Sequence, residues 1–109
     1  MLFRLRDKKG KANYKSGNYV KDGKNYLLKE FKIETVDTWK SLKTKAIYPT
    51  KLNIKIPRFK LDFNVSAKIK NQEFISKKGP SYWEGAISTD NGAIGYLEMT
   101  GYDKAIKPF

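Results

Sequence analysis

The clearest pattern in the chain is a strict alternation over residues 59–70. Phe59, Leu61, Phe63, Val65, Ala67 and Ile69 occupy every second position, with Lys60, Asp62, Asn64, Ser66, Lys68 and Lys70 between them. A period of two places the first set on one face of an extended strand. A helix would scatter the same side chains around its circumference. Upstream, Pro49 and Pro57 bracket residues 50–56, where Leu52, Ile54 and Ile56 oppose Lys51, Asn53 and Lys55. The C-terminal part predicts a β-hairpin over residues 82–102. Residues 82–89 run out, Asp90–Asn91–Gly92 turns the chain, and residues 93–102 return it.

The first part of the chain is less regular. Residues 1–7 read as a short strand whose polar face carries Arg4 and Arg6, followed by a turn at Lys8–Lys9–Gly10–Lys11. Residues 12–20 predict a second strand that Gly17 weakens or bulges. Asp22–Gly23 is a hairpin signal, because both residue types tolerate positive φ. Residues 25–30 and 31–37 offer further extended pieces, residues 76–80 a loop, and the tail 103–109 no pattern. The expected class is all-β. Antiparallel strands joined by short turns, with Gly85, Gly95 and Gly101 inside the last two, predict an antiparallel barrel or a strongly curled partial barrel.

Composition narrows the chemistry. The 109 residues fit one domain, and they include neither histidine nor cysteine. That removes disulfides, thiolate nucleophiles, Ser-His-Asp triads and imidazole or thiolate metal sites. No phosphate loop, dinucleotide fingerprint or calcium loop occurs, so no metal or cofactor is expected. No apolar run reaches membrane-spanning length, and the opening Met1-Leu-Phe-Arg-Leu-Arg6 has no signal-peptide pattern. The compartment stays open.

Net charge is the extreme value: 23 Lys and Arg against 11 Asp and Glu, a formal +12. Such a field attracts nucleic acid, anionic lipid or acidic ligands. Only Arg4, Arg6 and Arg58 supply the planar fork that reads phosphates and base edges, which argues against a specific nucleic-acid reader. Most lysines read as the solvated side of β structure.

Glu84 and Glu98 stand at corresponding positions on the two arms of the hairpin. In an apolar pocket they would serve as general acid or base, and across a sheet they would equally pair with cations or hydroxyl donors. Tyr82, Trp83, Tyr96 and Tyr102 either line an apolar cavity or cement the sheet. Trp39, Tyr48 and Pro49 flank a loop and fasten one end of the sheet. Gln72–Glu73 offers hydrogen bonds to a neighbouring strand or to a ligand.

The hairpin stretches Tyr82-Trp-Glu-Gly-Ala-Ile-Ser and Gly95-Tyr-Leu-Glu-Met-Thr-Gly-Tyr102 resemble paired motifs of one family. It is the C-terminal lipocalin-like domain of the hydroxyneurosporene synthase (carotenoid 1,2-hydratase) and AttH-like family. Leu2-Phe-Arg-Leu-Arg6, Thr38-Trp-Lys-Ser41, Tyr48–Pro49 and Gln72–Glu73 resemble its other landmarks, in order. The resemblance implies a lipocalin-like barrel with space for a small apolar ligand such as an isoprenoid or lipid. It singles out Trp83, Tyr96, Thr100 and Tyr102 for ligand contact and Glu84 and Glu98 as acid candidates. It also implies a single domain over residues 1–109 that is incomplete on its N-terminal side, leaving an edge for self-association or a second β domain. Hydration of an isoprenoid double bond, a structural assembly role and charge-driven nucleic-acid binding are the alternatives.

Overall fold

The computed structural model describes residues 1–6 and 12–102. The turn expected at Lys8–Lys9–Gly10–Lys11 and the tail 103–109 lie outside them. The chain divides into two compact units, one of residues 1–31 and one of residues 32–109.

The first unit is an antiparallel three-stranded sheet of β1 (Leu2–Arg6), β2 (Ala12–Lys21) and β3 (Lys24–Leu28). Asp22 and Gly23 make the β2–β3 turn with φ of 52° and 77°, the positive values a two-residue hairpin turn demands. Gly17 is paired in register with Leu2 and Leu28, and the bulge falls instead between Leu5 and Arg6. Leu28 and Phe31 are buried. The ammonium of Lys15 donates to the Phe31 carbonyl and lies 5.3 Å from the centre of its ring.

The second unit is an antiparallel sheet of six strands: β4 (Lys32–Lys40), β5 (Ile47–Ile56), β6 (Leu61–Ala67), β7 (Glu73–Phe74), β8 (Tyr82–Thr89) and β9 (Ile94–Thr100). β4, β5 and β6 are neighbours, and one edge of β8 is shared. Residues 87–89 of β8 pair with β6, residues 82–83 pair with the two-residue β7, and the other edge pairs with β9 along its length.

Alternation predicts β6 longer than it is. Pro57 fixes its own φ and nucleates a 3-10 turn over Pro57–Phe59, closed by Lys60 N–H donating to the Pro57 carbonyl at 3.0 Å. Lys60 then adopts φ of 53°, so the strand starts at Leu61. Ile69 lies past its end and is exposed. Conversely, β5 runs through Pro49, which pairs with Thr38 where β4 shifts register, before the β5–β6 pairing begins at Lys51. A missing N–H is tolerated at such an irregular stretch.

The expected lipocalin-like barrel, or strongly curled partial barrel, is not what forms. The larger sheet is open and not strongly curled: β4 and β9 each have one neighbouring strand among the described residues, and they do not pair with each other. Hairpin signals and alternation specify which neighbours pair, whereas closure depends on a stagger summed over all strands. The strand glycine Gly85 does not bend the sheet either. A Cβ there would lie 2.0 Å from the Gln72 carboxamide, which is laid across the strand at that point. Gly85 makes room for a side chain rather than for a corner.

One face of the larger sheet, here the inner face, carries the core. Trp83 and Tyr48 are fully buried with Ala46 and Met99, and Trp39, Ala67, Leu97 and Tyr102 pack around them. Trp83 pairs directly with Met99 on one side and Glu73 on the other, so all three share that face. The indole N–H is satisfied by the Lys70 carbonyl at 2.8 Å. Truncating a buried tryptophan of this kind costs about 3–5 kcal/mol.

Candidate functional site

The hairpin residues singled out from sequence divide between two faces. Trp83 is core, and Tyr102 stacks obliquely on Tyr48 with ring centres 5.7 Å apart. Glu84, Tyr96, Glu98 and Thr100 stand on the opposite, outer face. There Glu84 pairs directly with Glu98, Tyr96 with Ala86, and Thr100 with Tyr82. Tyr82 in turn stacks on Phe74 at 5.1 Å.

The Tyr96 phenol feels both carboxylates. Although 65% of it stays exposed, its phenol is raised above the ordinary value of 10.0. Partial loss of water is the first cause; the negative charges of Glu84 and Glu98 and a hydrogen bond to Glu84 follow. Every one of these disfavours the phenolate. Glu84 and Glu98 thus form an open carboxylate pair rather than an enclosed acid site.

The enclosed chemistry centres on Glu73, which period two in β7 puts on the inner face beside Trp83. Three hydroxyls converge on its carboxyl group. Ser41 Oγ donates to Oε1 at 2.6 Å, while Thr44 Oγ1 and the Tyr48 hydroxyl donate to Oε2 at 2.7 Å each. Each side-chain donor is held in turn. Ser41 Oγ accepts from the Lys43 and Thr44 N–H groups, and Thr44 Oγ1 accepts from Ala46 N–H. The loop between β4 and β5 is closed by Ser41 N–H to the Ala46 carbonyl (2.9 Å) and Lys45 N–H to the Ser41 carbonyl (3.0 Å). Tyr48 is fixed by stacking on Trp39, ring centres 6.2 Å apart and 18° from parallel.

Beside this network lies a cleft of about 340 Å³ lined by Trp39, Ser41, Leu42, Lys43, Asn71, Glu73 and Ile75. Trp39, Leu42 and Ile75 give it an apolar part, with Leu42 and Ile75 largely exposed, and Ser41, Lys43, Asn71 and Glu73 give it a polar one. A carboxylate has about four acceptor positions. The three hydroxyls take one on Oε1 and both on Oε2, leaving Oε1 a position for a further donor. Glu73 Oε1 therefore keeps one acceptor position beside the cleft.

Part of this is legible in the sequence, which singles out Gln72–Glu73, Trp39 and Tyr48 separately; the structure brings Trp39, Tyr48 and Glu73 together. Gln72 is placed instead over Gly85, with its amide donating to the Ile69 carbonyl at 2.9 Å. The roles of Ser41 and Thr44 were missed. Their only signal is a Ser-x-x-Thr spacing on a loop, and β7 is too short to show a period.

Fold and cleft together define an antiparallel β-sheet module with a carboxylate-floored cleft. The chain belongs to the AttH-like family, whose sequence profile matches residues 1–102. A crystal structure from Nitrosomonas europaea described as AttH is similar over 94% of this chain, with a TM-score of 0.80 and 24% identity. At that identity the likeness bears on the fold alone. This chain spans 34% of that chain. No curated protein matches it. Among the described residues, no helix is long and apolar enough to cross a membrane.

Proposed function

We propose that this AttH-like chain is a binding module for a small apolar ligand, of isoprenoid or lipid type, bearing one hydroxyl group. The ligand's hydrocarbon part lies between Trp39, Leu42 and Ile75, and its hydroxyl donates to Glu73 Oε1. The observation that carries the reading is a carboxylate on the apolar face of a sheet, fixed by three donors yet open to a cleft. The cleft volume lies at the lower end of the ligand-pocket range of roughly 300–1,000 Å³. It suits a short chain rather than a long polyene.

Hydration of an isoprenoid double bond is the enzymatic alternative, with Glu84 or Glu98 as the acid. Among the described residues, the exposed outer face around those two offers no cleft for an alkene, whereas Glu73 borders one, and this favours binding over hydration.

Titration of the purified chain with farnesol and with the matching hydrocarbon farnesene, followed by tryptophan fluorescence, tests the proposal. Farnesol is expected to perturb Trp39 and to bind about tenfold more tightly than farnesene, a ratio one hydrogen bond to a charged group supplies. Leu42→Asp, at an exposed wall position, is expected to weaken both. Equal affinity for the two probes sinks the hydroxyl–Glu73 contact. No response to either sinks the binding role.

A further inference from the structure

Acidic residues are placed unevenly in this chain. Residues 81–102 contain Glu84, Asp90 and Glu98 and neither lysine nor arginine, within a chain of net charge +12. That acidic stretch builds β8 and β9, and β9 pairs with β8 alone among the described residues. Thr89 N–H donates across the turn to the Ala93 carbonyl at 2.9 Å, and Glu84 N–H donates away from β9 to the Gln72 carbonyl at 3.2 Å. Antiparallel alternation then turns the backbone groups of Gly95, Leu97 and Met99 towards β8. Those of Ile94, Tyr96 and Glu98 turn away from β8, to an edge that carries no further strand among the described residues.

Natural sheets usually guard such an edge with lysine, proline or a bulge. β4, the other outer strand, has lysine at each end and two register shifts. β9 reads Ile-Gly-Tyr-Leu-Glu-Met-Thr and pairs with β8 without a break. Its outer face is apolar as well as acidic, with Ile94 80% exposed beside Tyr96. Glu84 and Glu98 stand directly opposite each other, an arrangement that costs stability until a cation joins them.

We propose that the β9 edge is an interface for a second copy of this chain, which adds a lysine-bearing extended segment as a further strand. Charge complementarity selects that occupant. The acidic, lysine-free hairpin belongs to an otherwise strongly basic chain, so each copy carries both halves of the attraction. The two halves are different patches, so the contact is head-to-tail and either closes into a ring or propagates. Backbone hydrogen bonds supply the strand addition, and Glu84 and Glu98 set its polarity.

Sedimentation of the whole chain over a range of concentrations, at low and at physiological salt, tests this. Mass is expected to rise with concentration, and the association to weaken roughly tenfold as salt screens it. Tyr96→Pro removes one outward N–H while leaving the bonds to β8, and the E84K/E98K pair reverses the charge. Both are expected to return the chain to a monomer with its melting transition retained. If Tyr96→Pro does not fold, the charge-reversed variant decides alone. A monomer at every concentration and salt overturns the proposal, as does association that neither variant changes. A monomer that instead binds a synthetic peptide of alternating valine and lysine also overturns it, assigning the edge to a foreign basic strand.

Discussion

Tyr96 is the residue whose titration the fold alters most legibly. Its proton is held by lost hydration, by the charges of Glu84 and Glu98, and by the hydrogen bond to Glu84. An unfolded chain would release that proton at the ordinary 10.0. Below that pH both states keep it, and the group contributes no pH dependence. Above it the unfolded state ionises first, so stability falls as pH rises towards the folded midpoint. A near-ultraviolet titration, read as the difference from Tyr96→Phe, is expected to give a midpoint above 10.0. Glu84→Gln removes a charge and an acceptor and is expected to lower that midpoint; an unchanged value would show that Glu84 is not a cause. Residue types were legible in the sequence, but their company was not. Glu84 and Trp83 are neighbours in the chain, and alternation sends one to the outer face and the other into the core. Glu73 shows the converse: its hydroxyl partners lie 25 to 32 positions away.

Elements were legible where a pattern ran long enough to be counted. Both hairpin turns fall where Asp-Gly and Asp-Asn-Gly placed them, and Gly92 has φ of 90°. The final hairpin is also fastened sideways, a tie with no local signature. Asp90 accepts from Asn64 N–H at 2.9 Å and from the Asn64 side-chain amide at 3.2 Å, and its own N–H donates to the Asn64 carbonyl at 3.0 Å. Asn64 carries the tie to β5 by accepting from Asn53 at 3.1 Å. Asp90→Ala is expected to destabilise the larger unit by about 0.5–1.5 kcal/mol, since it strips charge-assisted acceptors from Asn64. Chemical denaturation checks this, and a loss indistinguishable from zero would mean that the exposed tie is exchanged for water. Asp90→Asn keeps one acceptor and should lose less. Pro57 and Pro49 mark the limit of pattern reading: one shortens a strand that alternation extended, the other sits inside a strand it was expected to bound.

At the scale of the molecule, the all-β class was legible and closure was not. Whether a sheet closes depends on the stagger between its first and last strands, and no local window contains both. The inference from strand glycines failed for a physical reason: Gly85 answers a steric demand from Gln72 across the sheet. Two units likewise leave no mark in composition, because both are lysine-rich β structure. The divided edge of β8 carries a further consequence. Near the cleft, among the described residues, its ladder is completed by β7 and by the residue before it, through Glu84 N–H to Gln72. β7 is two residues long and is held by the hydroxyls on Glu73. Protection of the Glu84 amide against deuterium exchange therefore reports how firmly Glu73 is seated, although the two side chains lie on opposite faces. Farnesol bound at Glu73 is expected to slow exchange at Glu84 while leaving Thr89, bonded within its own hairpin, unchanged. Equal slowing at both amides would mean that the whole sheet, and not this narrow splice, takes up the binding energy.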